Sequence, residues 1–353
     1  MKIVILGDTH WGIRNDSDQF ADYFMLFYDN IVFPYMKKHN IDTIIQTGDF
    51  LDRRKGISYK TLHFISTRFM NVIEKNGWHI HMIPGNHDIY YRHSNEVNSI
   101  TELFSWMKNV HIYNEPTTVK FDSSTIDFIP WMNKQNFDDY LKFIEASDSE
   151  CCVGHFEIDG FEMYSGVAGH GTLSASAFSK YKRVISGHYH HKSTKKNITY
   201  VGTPYEMTWS DFNDPRGFHV YDTETNELTF VKNPFSMFVK VFFDSDMDYS
   251  AFDFSVLKDK IVKIIVQNRS NPAIYEWFVN EAEKAAPIDL SIVDSDVIAV
   301  HGVDQSEFDS IDVLTTLIES AKLTAQNNSL KSDVMAKLVK TVYAEAIEKG
   351  RMN

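Results

Sequence analysis

The chain has 353 residues, 43% apolar and 14% aromatic, with a formal net charge of −13. This is the composition of an ordinary soluble protein, long enough for one large domain and one or two smaller ones. No apolar run approaches the roughly 18 residues of a membrane span, and Met1–Leu6 leads into polar sequence without a signal-peptide cleavage pattern, so a cytoplasmic location is expected.

Lys2–Leu6 is a short apolar run ending at Gly7-Asp8-Thr9-His10, and Asp18 to His39 reads as a helix with many aromatics. Thr43–Thr47 predicts a second strand, ending at Gly48-Asp49-Phe50-Leu51-Asp52-Arg53. A helix from about Ser58 to Glu74 follows, with Ser58 as its N-cap. His79–Ile83 predicts a third strand; Pro84 bars further pairing, so Gly85-Asn86-His87-Asp88 falls in a loop just past its end. Strands alternating with helices predict a sheet with helices on its faces. After a helix near Ser99–Lys108, short strands are expected around Val110–Tyr113, Val119–Phe121 and Thr125–Ile129. A helix near Phe137–Glu145 then leads to a strand over Glu150–Val153, ending at Gly154-His155. Arg183–Ser186 ends at Gly187-His188-Tyr189-His190, and Ile198–Val201, Gly217–Tyr221 and Leu228–Val231 read as antiparallel strands closing a second sheet.

A break falls at Asn233-Pro234. Beyond it, Phe238–Phe243, Ile261–Gln267 and Leu290–Val293 read as strands separated by helical stretches. The last fifty residues read as helical: Ile311, Leu314, Ile318, Ala321 and Ala325 recur at spacings of three and four, and Leu330, Val334, Leu338 and Val342 at every fourth residue. Such stripes serve ordinary packing or a partner equally well. The expected class is α/β: a two-sheet α/β sandwich over 1–232, a small acidic α+β domain over 235–300, and C-terminal helices over 301–353. Cys151 and Cys152, the only cysteines, are neighbours on a strand and point to opposite faces, so they do not pair and fit a reducing compartment.

An acidic chain argues against a nucleic-acid partner, but the charge is unevenly spread. Asp244 to Glu319 carries 16 acids and 5 bases. Ser179 to Tyr205 has no acid, against Lys180, Lys182, Arg183, Lys192, Lys195 and Lys196. Screening over roughly 8 Å means that a phosphate backbone feels such a patch more than distant acids. Charge alone leaves a solvated basic face equally open.

Asn-His-Asp in a turn is by itself ordinary turn chemistry. Here, however, five predicted strands end in metal-type residues: Asp8 and His10, Asp49, Asn86 and His87, His155, and His188 and His190. A structural histidine or aspartate has no reason to recur at one edge of a sheet, the edge where open α/β folds keep their chemistry. Carboxylates, imidazoles and one amide oxygen, without thiolate, suit Mn²⁺, Fe or Zn and disfavour a structural zinc cage.

Asp8-Thr9-His10, Gly48-Asp49-X-X-Asp52, Gly85-Asn86-His87-Asp88, Gly154-His155 and Gly187-His188-X-His190 resemble, in order, the five motifs of calcineurin-like binuclear metallophosphoesterases, over roughly residues 1–232. Within that superfamily the chain most resembles the SbcD-type nuclease subunits of SbcCD-like DNA repair and recombination complexes. The closest pattern is that of the T-even-like phages, judged by Gly48–Lys55, Ile129-Pro130-Trp131, Gly202-Thr203-Pro204 and Asn213–Gly217. The resemblance implies two divalent ions, Mn²⁺ first among them. Asp8, His10, Asp49 and His190 would hold one; Asp49, Asn86, His155 and His188 would hold the other, with Asp49 bridging. Such a pair activates water and polarises a phosphoryl oxygen. His87 would stabilise or protonate the leaving oxygen, with Asp88 orienting it.

Asp52 would support the site or position substrate. Arg53, Arg54 and Lys55 after the second motif, and Tyr91 and Arg92 after the third, are candidate DNA contacts or plain loop residues. Arg216 reads as structural, paired with an acid. The resemblance further implies double-strand exonuclease and single-strand endonuclease action in recombination, repair and replication. Its implied partners are DNA and an SMC-like ABC ATPase, with two nuclease subunits per complex, the acidic domain as a cap, and the C-terminal helices docking on the ATPase. The alternatives are a phosphoprotein or small-molecule phosphatase, whose second motif is similar but whose central motif ends in Glu rather than Asp88, and a non-catalytic DNA-binding scaffold.

Overall fold

The computed structural model describes residues 1–164, 167–168 and 171–294. Three apolar runs, Lys2–Leu6 (β1), Thr43–Gln46 (β2) and His79–Met82 (β3), lie side by side in parallel and are buried apart from their exposed first residues Lys2 and His79. Burial on both faces is what an all-apolar parallel strand requires. The hairpin Ile89–Tyr91 (β4) and Ser94–Asn98 (β5) leads to Val110–Ile112 (β6), which joins β3 in parallel. Thr117–Phe121 (β7), Ser124–Ile129 (β8) and Cys151–His155 (β9) begin a second sheet. The small pair Glu162–Tyr164 (β10) and Val167–Ala168 (β11) stands apart, and Arg183–Gly187 (β12), Ser193–Lys195 (β13) and Ile198–Tyr200 (β14) complete that sheet in the order β13-β14-β12-β9-β8-β7.

Gly217–Asp222 (β15) and Glu227–Lys232 (β16) do not close the second sheet as expected. They close the first, in the order β16-β15-β1-β2-β3-β6, with β15 antiparallel to β1 and Lys2 opposite Asp222. The physical reason is two-sided burial: Phe218 and Val220 pack with the helices, Tyr221 between the sheets. Of the three strands assigned to the second sheet only β14 belongs there, parallel to β12.

Alternation divides the side chains among the layers. Ile3 and Ile5 point between the two sheets with Ile45, Phe128, Val153 and Ile185, whereas Val4 and Leu6 face the helices. Those helices run over 18–39 and 59–75, each α-helical with a central π-helical stretch, Tyr28–Val32 and Ile65–Met70. Ser17 and Ser58 cap their first turns. The helix Phe137–Ala146 covers the outer face of the second sheet. Cys151 faces the space between the sheets and Cys152 the outer layer; both are buried free thiols, pushed upward by burial.

After Asn233, Phe238–Asp244 (β17), Ile261–Asn268 (β18) and Asp289–Asp294 (β19) form a parallel three-stranded sheet. The helix Pro272–Lys284 covers one face through Phe243, Val262, Val266 and Phe278. The connection from β17 to β18 carries only a 3-10 turn, Phe254–Leu257, where a helical stretch was expected. This sheet is rooted on the sandwich: the buried Glu206 carboxylate accepts from the N–H groups of Met237 and Phe238 at 2.7 and 3.0 Å, and Phe238 enters the core beside Phe20. The helices expected over 301–353 lie outside the described residues.

Candidate functional site

The parallel strands β1, β2, β3, β9 and β12 deliver their C-terminal loops to one place. Asp8 is fully buried, and both its carboxylate oxygens accept from the His188 N–H, at 3.2 and 2.9 Å. His10 Nε2 lies 3.2 Å from His190 Nε2 and 3.8 Å from Asp49 Oδ2. Asn86 Oδ1 lies 3.0 Å from both His155 Nε2 and His188 Nδ1, and His155 Nε2 lies 3.4 Å from Asp49 Oδ2. The structure thus gathers Asp8, His10 and His190 in one group and Asp49, His155 and His188 in a second, with Asn86 beside the second and Asp49 bordering both. A third group, His10, Asp52 and His87, adjoins the first.

Tight loops make this convergence possible. Gly48 has φ +99°, and a Cβ there would run into the His155 imidazole; a Cβ at Gly85 would run into the Asp49 side chain. Asp49 itself sits at φ 53° and His10 at φ 44°, conformations that non-glycine residues adopt at a cost and keep where surrounding bonds fix them. Those bonds are present: Gln46 clasps Gly48 at both N–H and C=O, the Asp49 carbonyl accepts from Thr9 and His10, and Asp49 Oδ1 accepts from the His87 N–H at 2.7 Å. Beyond His10, Arg14, Asn15 and Asp16 follow one another at φ 55°, 57° and 60°, held through Arg14 to the Met207 carbonyl and through Asp16 to Thr61 and Arg53.

The donor set fits bound cations. Imidazole nitrogens and an amide oxygen that face one another at 3.0–3.2 Å, as here, have the spacing of ligands about 2.1 Å from a shared ion. The electrostatics point the same way. Burial pushes the Asp8 carboxyl up to about 7, against the pull of His155. Burial also opposes an ionised Asp49, but His155, His87 and His10 outweigh it and hold that carboxyl well below its usual range. Burial would depress His10 and His155, yet Asp52, Asp49 and Asp8 raise the first to about 9, and Asp49 and Asp8 the second. Without ions, protons take the cationic role, and bound ions displace them.

His87 lies edge-on to His10 with ring centroids 4.9 Å apart, and its Nδ1 lies 2.7 Å from the Asp52 carbonyl oxygen. Asp88 does not orient it, contrary to expectation. The Asp88 carboxylate, fully buried and pushed up by that burial, accepts from the N–H groups of Gly85, Phe50 and Leu51 and from the Ser99 hydroxyl. It is spent on joining the second and third loops. Asp52 faces the other way, 3.4 Å from His10 Nδ1.

Arg53 is exposed and bonded to Asn15 and Asp16, Lys55 is exposed, and Arg54 donates to the Asn86 carbonyl at 2.8 Å with the Arg92 charge nearby. Tyr91 and Arg92 are exposed at the β4–β5 turn. Arg216 is buried against Asp211 and Asp214 and also donates to the His190 carbonyl, so it braces a site loop. Much of the acid-free basic stretch is engaged locally: Lys180 with the Glu145 and Ser147 carbonyls, Lys182 with Glu150, Lys195 with the Gly160 carbonyl. Two neighbours of the site carried no assigned role in the sequence. Glu157 lies 3.9 Å from His188 Nε2, and Trp131 stands against His188 and His155; only Trp131 had a signal, the Ile129-Pro130-Trp131 run.

Comparison with known proteins agrees with this geometry. The family model of the calcineurin-like phosphoesterases matches residues 1–192. Exonuclease subunit 1 of Enterobacteria phage T4 is 34% identical over 352 residues, 99% of this chain and all of that protein. The SbcD component of the nuclease SbcCD of Staphylococcus epidermidis is 25% identical over 265 residues, 65% of this chain and 67% of that one.

Proposed function

Since the chain belongs to the calcineurin-like phosphoesterase family, as a nuclease subunit of the SbcD type, we propose that it hydrolyses DNA phosphodiesters with two divalent ions, most simply Mn²⁺. Double-stranded ends are degraded exonucleolytically and single strands cut endonucleolytically. The observation that carries this reading is the convergence of seven nitrogen- and oxygen-donor side chains from five strand ends, with His87 beside them.

Asp8, His10, Asp49 and His190 would hold one ion, and Asp49, Asn86, His155 and His188 the other. When bound, the ions supply an activated water and Lewis-acid polarisation of the phosphoryl group. With only Asp8 and Asp49 anionic among the ligands, the loaded site stays positive and attracts a phosphodiester to an acidic protein. A carbonyl only accepts, so the His87 Nδ1–H donates to Asp52, and it is the second proton of the imidazolium, on Nε2, that would pass to the leaving oxygen. Arg54 and Arg92, beside the Asn86 loop, would contact the flanking phosphates, with Arg53, Lys55 and Tyr91 as further contacts.

The division into a nuclease domain over 1–232, a cap over 235–300 and a docking segment over 301–353 belongs to the same proposal. So do an SMC-like ATPase partner, a pair of nuclease subunits in the complex, action in recombination, repair and replication, and residence in a host cytoplasm. The test is a linear duplex labelled at one end, with Mn²⁺ or Mg²⁺, for wild type beside His87→Ala and with a phosphopeptide in parallel. Metal-dependent nucleotide release lost in the variant supports the reading. Phosphopeptide turnover without DNA cleavage, with or without the ATPase, replaces it by a phosphatase.

A further inference from the structure

We propose that Trp131 is the platform on which a nucleobase flanking the scissile phosphate stacks. The inference rests on the nuclease reading and adds a residue that sets how the DNA strand is held.

Trp131 follows β8, where the chain leaves the second sheet. Its neighbours Ile129 and Met132 are buried in the outer apolar layer, but Trp131 belongs to none of the four apolar clusters and is only half-buried. Its ring partners are the imidazoles of the second ligand group: His188, with centroids 5.1 Å apart, and His155 at 5.7 Å. A large indole outside the apolar clusters, beside the imidazoles that would hold the second ion and only partly covered, has apolar surface left for a base next to the site.

The main chain that carries the ring is also held in place. The Trp131 N–H donates to the Pro84 carbonyl at 2.9 Å, just before Gly85-Asn86-His87. Its carbonyl accepts from Asn95 Nδ2 at 2.9 Å and from Asn136 Nδ2 at 3.3 Å. The backbone from which the indole projects is therefore tied to the loop that carries Asn86 and His87, which lowers the ordering cost when a ligand arrives. A phosphodiester seated at the Asp49–His155–His188 group carries a base within one nucleotide of this ring. Base–aromatic stacking accepts every base, because every base has a π-face.

The experiment uses the full chain and a single-stranded oligonucleotide with one phosphodiester among phosphorothioate linkages, intact or with an abasic residue on either side of the scissile bond. Trp131→Ala is expected to lower kcat/KM on the intact strand roughly 5- to 150-fold, with Trp131→Phe recovering most of it. One abasic substitution should cost wild type the same factor and the Ala variant nothing. Mn²⁺ affinity by calorimetry should be unchanged, and wild type in Ca²⁺ should quench 2-aminopurine at that position where Trp131→Ala does not. Equal abasic penalties in both proteins, or weakened Mn²⁺ binding in the variant, would overturn the stacking role and make Trp131 a support for the imidazoles. A wild type that turns over the phosphopeptide but no oligonucleotide would overturn the nuclease reading, and this inference with it.

Discussion

His87 Nδ1 donates to the main-chain oxygen of Asp52 at 2.7 Å, so the tautomer of the imidazole is set by backbone. A backbone acceptor has no proton to trade and no charge to lose. The ring therefore presents the same nitrogen to substrate whatever the state of the neighbouring carboxylates.

His87→Ala is accordingly expected to leave the fold and Mn²⁺ binding intact while DNA cleavage falls by about 10²- to 10⁴-fold. Single-turnover cleavage beside calorimetric Mn²⁺ titration checks this. Wild-type cleavage by the variant would sink the role.

Asp88→Ala is a different kind of lesion. It orphans three buried N–H donors and the Ser99 hydroxyl, at about 1–3 kcal/mol for each group left unsatisfied. Urea unfolding in EDTA should show a large loss, with Asp88→Asn losing less because one amide oxygen still accepts. An unmoved midpoint for the Ala variant would contradict the bracing role.

Ion removal should be visible in stability as well as activity. A ligand at 100 times its dissociation constant adds about 2.7 kcal/mol to a fold that alone binds it. Melting with saturating Mn²⁺ and after chelation should differ in wild type and coincide in Asp49→Ala, because Asp49 borders both ligand groups.

Acid should destabilise the protein from about pH 6.5 downward through two buried histidines outside the candidate ligand set. Burial, with the charges of His111 and His79, pushes His81 down to about 3, and burial with the Lys192 charge does the same to His219. A depressed imidazole contributes stability that is present above its unfolded value of 6.5 and lost as pH falls toward 3, because the unfolded chain takes the proton first. His219 packs against Phe230 and its Nδ1 has no hydrogen-bond partner, so His219→Phe removes the titration without removing a bond. Its stability profile between pH 7 and 4 should be flatter than that of wild type; parallel profiles would refute the assignment.

Deleting residues 311–353 should abolish capture of the ATPase partner while Mn²⁺ binding and single-strand cleavage persist. An undiminished pull-down would remove these stripes as the docking segment.

The residues that converge at the site were legible in the sequence because each follows a short β-favouring run, and a run that must be buried announces where its loop begins. Three features were not. Nothing local to Gly217–Asp222 states which sheet it borders; that depends on pairing with Lys2–Ile5 across the whole domain. The hairpin at 89–98 has a Tyr-Tyr-Arg-His-Ser turn without the usual glycine or asparagine signal. The duty of Asp88 was misjudged because its partners are mostly backbone N–H groups, which leave no mark in a sequence, whereas the adjacent His87 invited pairing by type.

The two cysteines bear on how motion here can be observed. Both thiols are buried, on opposite faces of β9, and burial raises Cys151 to about 12 and pushes Cys152 well above its ordinary value, so neither forms a thiolate at neutral pH. To a maleimide dye the folded protein is a blank. One cysteine introduced at exposed Tyr91 and another at exposed Met247, on the acidic unit, would take a donor and an acceptor on an otherwise native chain. The distance between that unit and the β4–β5 turn could then be read molecule by molecule, with and without DNA.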